Sequence, residues 1–133
     1  MKQIIDILQK SNTGALSTSF NNEPYVRPQH VHFIENNTFY FTTANTKSAF
    51  KQLKENPVIE FMVTTDKFET VRLHGKIKFA ETVEIKQKVL DNAPLVQKGY
   101  KTADNPIYEV FYMESGTITF SDFSGNPPRV IKF

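Results

Sequence analysis

FYFTTANTKSAFKQL, residues 39–53, is the stretch around which the chain is organised. It reads as a buried strand, Phe39 to Phe41, that ends in the hydroxyl pair Thr42 and Thr43. A short turn, Ala44-Asn45, leads to a helix opening with Thr46, Lys47 and Ser48. Asn45 and Thr46 are both residue types that cap helix N-termini. The first N–H groups of a helix lack internal partners and carry partial positive charge. With Lys47 and several hydroxyls at the same place, the junction has the chemistry of a phosphate site. The helix dipole contributes only about 0.3–1 kcal/mol. Lysine and hydroxyl hydrogen bonds must then carry most of any phosphate affinity. The same residues also fit a capped amphipathic helix with a solvated lysine, so the rest of the chain has to decide.

On the N-terminal side, residues 2–11 read as a short helix with Ile4, Ile5 and Leu8 on one face. A strand over 14–20, a turn at Asn21-Asn22-Glu23-Pro24 and a strand over 25–34 follow. Pro28 places the second strand at an edge or a bulge. A hairpin turn at Glu35-Asn36-Asn37 feeds the third strand, 38–43.

On the C-terminal side, Asn56-Pro57 stops the helix near Glu55. Residues 58–64, VIEFMVT, read as a strand apolar on both faces except at Glu60, which calls for a cover such as a partner subunit. Residues 70–80 alternate: Val71, Leu73, Ile77 and Phe79 inward, Arg72, His74, Lys76 and Lys78 outward. Helical segments over 82–92 and 94–100, strands over 108–114 and 117–123, and a short final strand in the tail complete the chain. Many short strands joined by hairpin turns indicate a small closed antiparallel barrel. The helices do not alternate with every strand, which argues against a parallel doubly wound sheet.

The totals bound the function. A chain of 133 residues is read as one domain, 1–133, able to bury roughly two-thirds of its unfolded surface. The absence of cysteine excludes disulfides and cysteine-based zinc sites. No signal-like or membrane-spanning run is present, so the expectation is a soluble cytoplasmic protein with no membrane partner. Sixteen Lys+Arg against 14 Asp+Glu, a formal charge of +2, argue against a nucleic-acid partner. Twelve Phe and five Tyr suggest an aromatic-rich core and an apolar interface.

Several features taken together carry a family resemblance. They are Val26-Arg27-Pro28, Phe39-Tyr40-Phe41-Thr42-Thr43 followed by Asn45-Thr46-Lys47 and Leu53, Asn56-Pro57 before an apolar strand, and Arg72-Leu73-His74-Gly75-Lys76. The ensemble resembles the pyridoxamine 5′-phosphate oxidase-like family of FMN-binding split barrels, most closely its short, nitroimidazole-reductase-like members. The resemblance runs from about Gly14 to Gly125. It implies a mainly β fold with inserted helices, an antiparallel split β-barrel of about six to seven strands. It also implies a homodimer with FMN between the subunits. By that resemblance Arg27 and Lys47 hold the phosphate, and Thr42, Thr43 and Asn45 lie by the phosphate and ribityl chain. Pro28, Gln29 and His30 run beside the isoalloxazine, and Phe61 and Met62 belong to the wall that the partner supplies. The chain has no tryptophan and ends Arg129-Val130-Ile131-Lys132-Phe133, not in the Arg-Leu-x-Pro stretch of the vitamin B6 oxidases, so that activity is not expected.

His30 and His32 share a strand face and are candidates to face the flavin or a substrate. With His74 they make no convincing metal set, and no metal is expected. Glu60 is expected to pair with Arg72 or Lys76, and Phe120, Asp122 and Phe123 are candidates to close over the ring. No catalytic acid or base is legible, since a flavin needs mainly orientation and electrostatics from its protein. The expected function is an FMN-dependent oxidoreductase of an unknown small molecule, with NAD(P)H as a possible electron donor. The alternatives are a non-enzymatic flavin-binding or storage protein, or a split barrel using F420 or haem.

Overall fold

The computed structural model describes all 133 residues, Met1–Phe133. Helix α1 (Lys2–Lys10) leads into β1 (Thr13–Phe20), β2 (Glu23–His30), β3 (Phe33–Glu35) and β4 (Thr38–Ala44). Helix α2 (Ser48–Glu55) precedes β5 (Val58–Thr64), β6 (Thr70–Lys76) and β7 (Lys78–Phe79). Helices α3 (Val83–Asn92) and α4 (Pro94–Tyr100) are followed by β8 (Tyr108–Met113), β9 (Thr117–Ser121) and β10 (Arg129–Lys132). Six strands form one sheet in the order β10-β9-β6-β5-β1-β2, and four form another in the order β3-β4-β8-β7. Every pairing is antiparallel.

The fold is the expected mainly β split barrel, but its strand count is higher because two long strands each serve both sheets. The segment 25–34 breaks after His30: Val31 N–H donates to Asn12 O, and His32 N–H donates to Tyr40 O of the other sheet. The segment 70–80 breaks at Ile77, whose N–H donates to Pro57 O before Lys78 pairs with Tyr112. These switches are the corners of the barrel. The hairpin turns follow the sequence. Asn21 and Asn22 (φ 49° and 62°) and Asn36 and Asn37 (φ 52° and 59°) take the left-handed conformation of two-residue type I′ turns, which asparagine tolerates.

Alternation along the strands fills the barrel. Leu16, Phe39, Phe41, Phe61, Val71, Leu73 and Phe111 are buried inside it, together with Ile4 and Leu8 of α1 and Leu53 of α2. A second core, under α3 and α4, packs Val89, Leu90 and Val96 on Tyr108 and Val110 at the back of the four-stranded sheet. Within the single chain β5 buries one face, and the other is the face for which a cover was expected. Ile59, Phe61 and Val63 point inward, while Val58, Glu60 and Thr64 are exposed and Met62 is half-buried. Glu60 sits across from His74 and makes no ion pair with Arg72 or Lys76, because on the outer face it keeps its water. Gly14 is required where β1 meets β5: a Cβ there would lie 2.3 Å from Met62 O.

Strand β2 forms one edge of the six-stranded sheet. Its register sets Pro24 opposite Ser19, Val26 opposite Ser17 and Pro28 opposite Ala15. This confirms the edge position that Pro28 called for.

Candidate functional site

The start of α2 differs from its expected form. The helix begins at Ser48, with Lys47 in the capping position and no side-chain cap. Asn45 does not cap it, because its amide is taken up elsewhere: Nδ2 donates to Pro106 O (2.8 Å) and to Glu109 Oε2 (3.0 Å). Thr46, Lys47 and Ser48 are all exposed. Lys51 lies over the Phe20 ring and Lys54 over the Phe79 ring, at 5.4 and 4.5 Å from the ring centres. Lys47 has no comparable contact and stands exposed at an uncapped helix start, where backbone N–H groups favour an anion.

Strand β2 divides the remaining candidates by parity. Arg27 and Gln29 pair with Leu16 and Gly14 and lie on the barrel side of the sheet. Arg27 donates through Nη2 to Gln52 Oε1 and through Nη1 to Leu16 O (3.3 Å). Gln52, buried on α2 one turn beyond Ser48, also accepts from Thr18 Oγ1 (2.7 Å). Arg27 is therefore tethered to the helix whose first residues carry Lys47. Partial burial pulls its guanidinium below its usual pKa. Gln29 Nε2 donates to Thr42 O (3.0 Å), bridging β2 and β4 across the mouth of the barrel. Thr42 and Thr43 are both buried on β4, on opposite faces.

Pro28 and His30 face the other way, toward the outer surface. There Pro28 and Met62 flank Ala15 in one row, and His30 Nδ1 bonds Thr13 Oγ1 at 2.9 Å. Phe61 does not join them. It is 0 % exposed, with its ring against Phe41 at 5.2 Å, so it is core and not an outer wall. His32 lies 5.3 Å from His30 between ring centres, and burial, with His30 as a lesser cause, lowers its pKa to about 4. Its imidazole is neutral at pH 7, at the edge of a cleft of about 320 Å³ lined also by Gln9, Asn12 and Asn92. The C-terminal trio does not converge. Phe120 is buried, Asp122 accepts from Ser124, and Phe123 is 82 % exposed and stacked on Phe68. Arg27, Gln29, Thr42 and Lys47 line neither this cleft nor the one of about 500 Å³ between α1 and the β5–β6 turn.

A family model described as pyridoxamine 5′-phosphate oxidase matches residues 1–120. The chain belongs to that family. No curated protein matches it. Among solved structures, this family member is similar to a NimC/NimA family protein from Clostridium acetobutylicum, at 28 % identity over 100 % of this chain and 92 % of the other, with a TM-score of 0.89. A pyridoxamine 5′-phosphate oxidase-related, FMN binding protein from Nostoc punctiforme matches at 13 % identity, covering 97 % and 86 %, with a TM-score of 0.74. A heme binding protein from Mycobacterium smegmatis matches at 15 % identity, covering 95 % of this chain and 55 % of the other, with a TM-score of 0.78. The last two likenesses show a shared fold.

Sequence reasoning missed Gln52, Thr18, Glu109 and Lys86. Gln52 left one signal: it sits beside Leu53 as the polar member of the buried face of α2. Glu109 and Lys86 left none, because their partners come from other elements.

Proposed function

We propose that this pyridoxamine 5′-phosphate oxidase family member binds FMN and works as a homodimeric oxidoreductase on a small molecule, with NAD(P)H as electron donor. The observation that carries the cofactor reading is that α2 serves two cations: Lys47 stands exposed at its start, and Arg27 of β2 is tethered to its second turn through Gln52. This donor set fits FMN. Arg27 and Lys47 would hold the phosphate by charge-assisted bonds, with Thr42, Thr43 and the turn at Asn45 beside them. Gln29, Pro28 and His30 would flank the ring, and the Pro28–Ala15–Met62 row would meet the partner subunit. Bound flavin supplies hydride and electron transfer, and the protein orients it and controls access. These groups line neither of the two clefts described above, which supports a site that a second copy completes.

A haem reading is favoured by one observation, the name of the Mycobacterium smegmatis neighbour. Absorbance spectra of the protein, taken after loading with FMN or haem and gel filtration, separate the two. Stoichiometric flavin bands support the FMN reading, and a retained Soret band with no flavin overturns it. Arg27→Ala and Lys47→Ala are each expected to weaken FMN binding by about 1–3 kcal/mol, and unchanged affinity in both refutes the phosphate assignment. Oxidation of NAD(P)H by the loaded protein, with an acceptor screen, tests catalysis against storage.

A further inference from the structure

We propose that Glu109 is a positioning residue for the phosphate-binding turn, holding Asn45 so that Lys47 and the start of α2 face the anion. This rests on Lys47 binding the cofactor phosphate. Residues 45–47 connect β4 to α2, and Asn45 carries their hydrogen bonds to the segment before and within β8. Its backbone N–H donates to Ile107 O (3.0 Å), and its amide donates to Pro106 O (2.8 Å) and to Glu109 Oε2 (3.0 Å). The turn closes on itself through Lys47 N–H to Ala44 O (3.0 Å). Fixing Asn45 therefore fixes the residue two positions on, whose side chain carries the charge.

The carboxylate is built for this role. Its other oxygen, Oε1, lies 3.6 Å from Lys86 Nζ, and both side chains are about one-fifth exposed. Lys86 is itself held, donating to Tyr108 O (3.0 Å) while Tyr108 Oη donates to Lys86 O (3.0 Å). A part-buried carboxylate without a cation is costly. The ion pair with Lys86 engages Oε1 and leaves Oε2 to accept from Asn45, and a bond to a carboxylate is stronger than an amide–amide contact. Lys86 also offsets a negative charge that would otherwise oppose a nearby phosphate. Small misplacements of a charged donor cost binding, so the mooring is expected to act on the phosphate and not on the rest of the cofactor.

The experiment compares FMN with riboflavin, which lacks the phosphate, by fluorescence titration of the full chain and its variants. Glu109→Ala is expected to raise the Kd for FMN about tenfold while leaving that for riboflavin within about twofold, so the FMN/riboflavin ratio collapses. Glu109→Gln, which keeps an acceptor for Asn45, is expected to recover most of the ratio. A loss shared equally by both flavins, or no loss, overturns the proposal, and thermal melts identify any variant that fails to fold. A wild type that binds FMN no more tightly than riboflavin refutes the phosphate reading of Lys47 instead. Titration with inorganic phosphate, followed at the amide resonances of residues 46–49, reads the turn without flavin. The wild-type amides are expected to shift, and those of Glu109→Ala to shift only at several-fold higher phosphate. Identical curves for the two proteins overturn the proposal.

Discussion

Replacing Gln52 with leucine tests the link between α2 and β2 most sharply. In the native chain its Oε1 accepts from Thr18 Oγ1 at 2.7 Å and from Arg27. Thr18 is 2 % exposed, so in Gln52→Leu its hydroxyl is left without an acceptor or water. An orphaned buried hydroxyl costs about 1–3 kcal/mol. Arg27 is half-buried and keeps Leu16 O as an acceptor, so its loss adds at most about 1 kcal/mol. The leucine fills a similar volume and returns part of this through apolar burial. The net expectation is a loss of about 2 kcal/mol, or roughly 8 °C in Tm for a chain of this size. Adding Thr18→Val removes the orphaned hydroxyl and should restore about half of that, since replacing both partners by apolar groups is nearly neutral. Urea denaturation of the two variants, read as midpoints at constant slope, gives both numbers. A Gln52→Leu variant within about 0.5 kcal/mol of wild type, or a double variant no more stable than the single, refutes the role assigned to Gln52.

Three further outcomes follow from the geometry. The His32 imidazole gains its proton near pH 6.5 when unfolded but only near pH 4 in the fold, so the unfolded state binds more protons between those values. That part of the stability, about 3 kcal/mol, is present above pH 6.5 and is lost as the pH falls toward 4; His32→Phe should flatten the profile in urea melts, and an unchanged slope contradicts the burial argument. Gly14→Ala drives a Cβ into Met62 O and Phe61 and should cost about 1–3 kcal/mol by the same melts, with no loss showing that β1 and β5 separate freely. Met62→Asp should give a folded monomer by light scattering and circular dichroism, whereas Phe61→Asp should unfold the chain; a Met62→Asp variant that stays dimeric removes this row from the interface.

What was legible in the sequence is what local chemistry decides. The Asn-Asn pairs set their own backbone and gave both hairpins, and the 70–80 alternation gave the inward and outward faces. The barrel corners were not legible, because whether Val31-His32 and Ile77 continue a strand depends on which sheet offers the next acceptor. The cap at Asn45 was misread for a similar reason. Its residue type suits a helix start, but Pro106 and Glu109, far along the chain, compete for the same amide and win. Treating Phe61 and Met62 as one wall overlooked strand parity, which puts neighbours on opposite faces. At the candidate site, Arg27 and Lys47 stood out by motif, whereas Gln52 did not, since its meaning comes from Thr18, 34 positions away.

The prolines of β2 have a consequence for how copies of this chain can meet. Proline has no N–H to give β1, so Pro24 and Pro28, and by the same alternation Val26 and His30, direct their backbone groups away from the sheet. A strand arriving at that edge would therefore find donors missing at two of these four positions. Sheet extension, the route by which exposed edges recruit other chains into fibrils, is closed on this side. Tyr25 and Val26 are nonetheless 41 % and 70 % exposed. The edge can thus offer side chains to a neighbour while refusing it a continuous ladder, which lets an adhesive strand remain open in solution without templating aggregation.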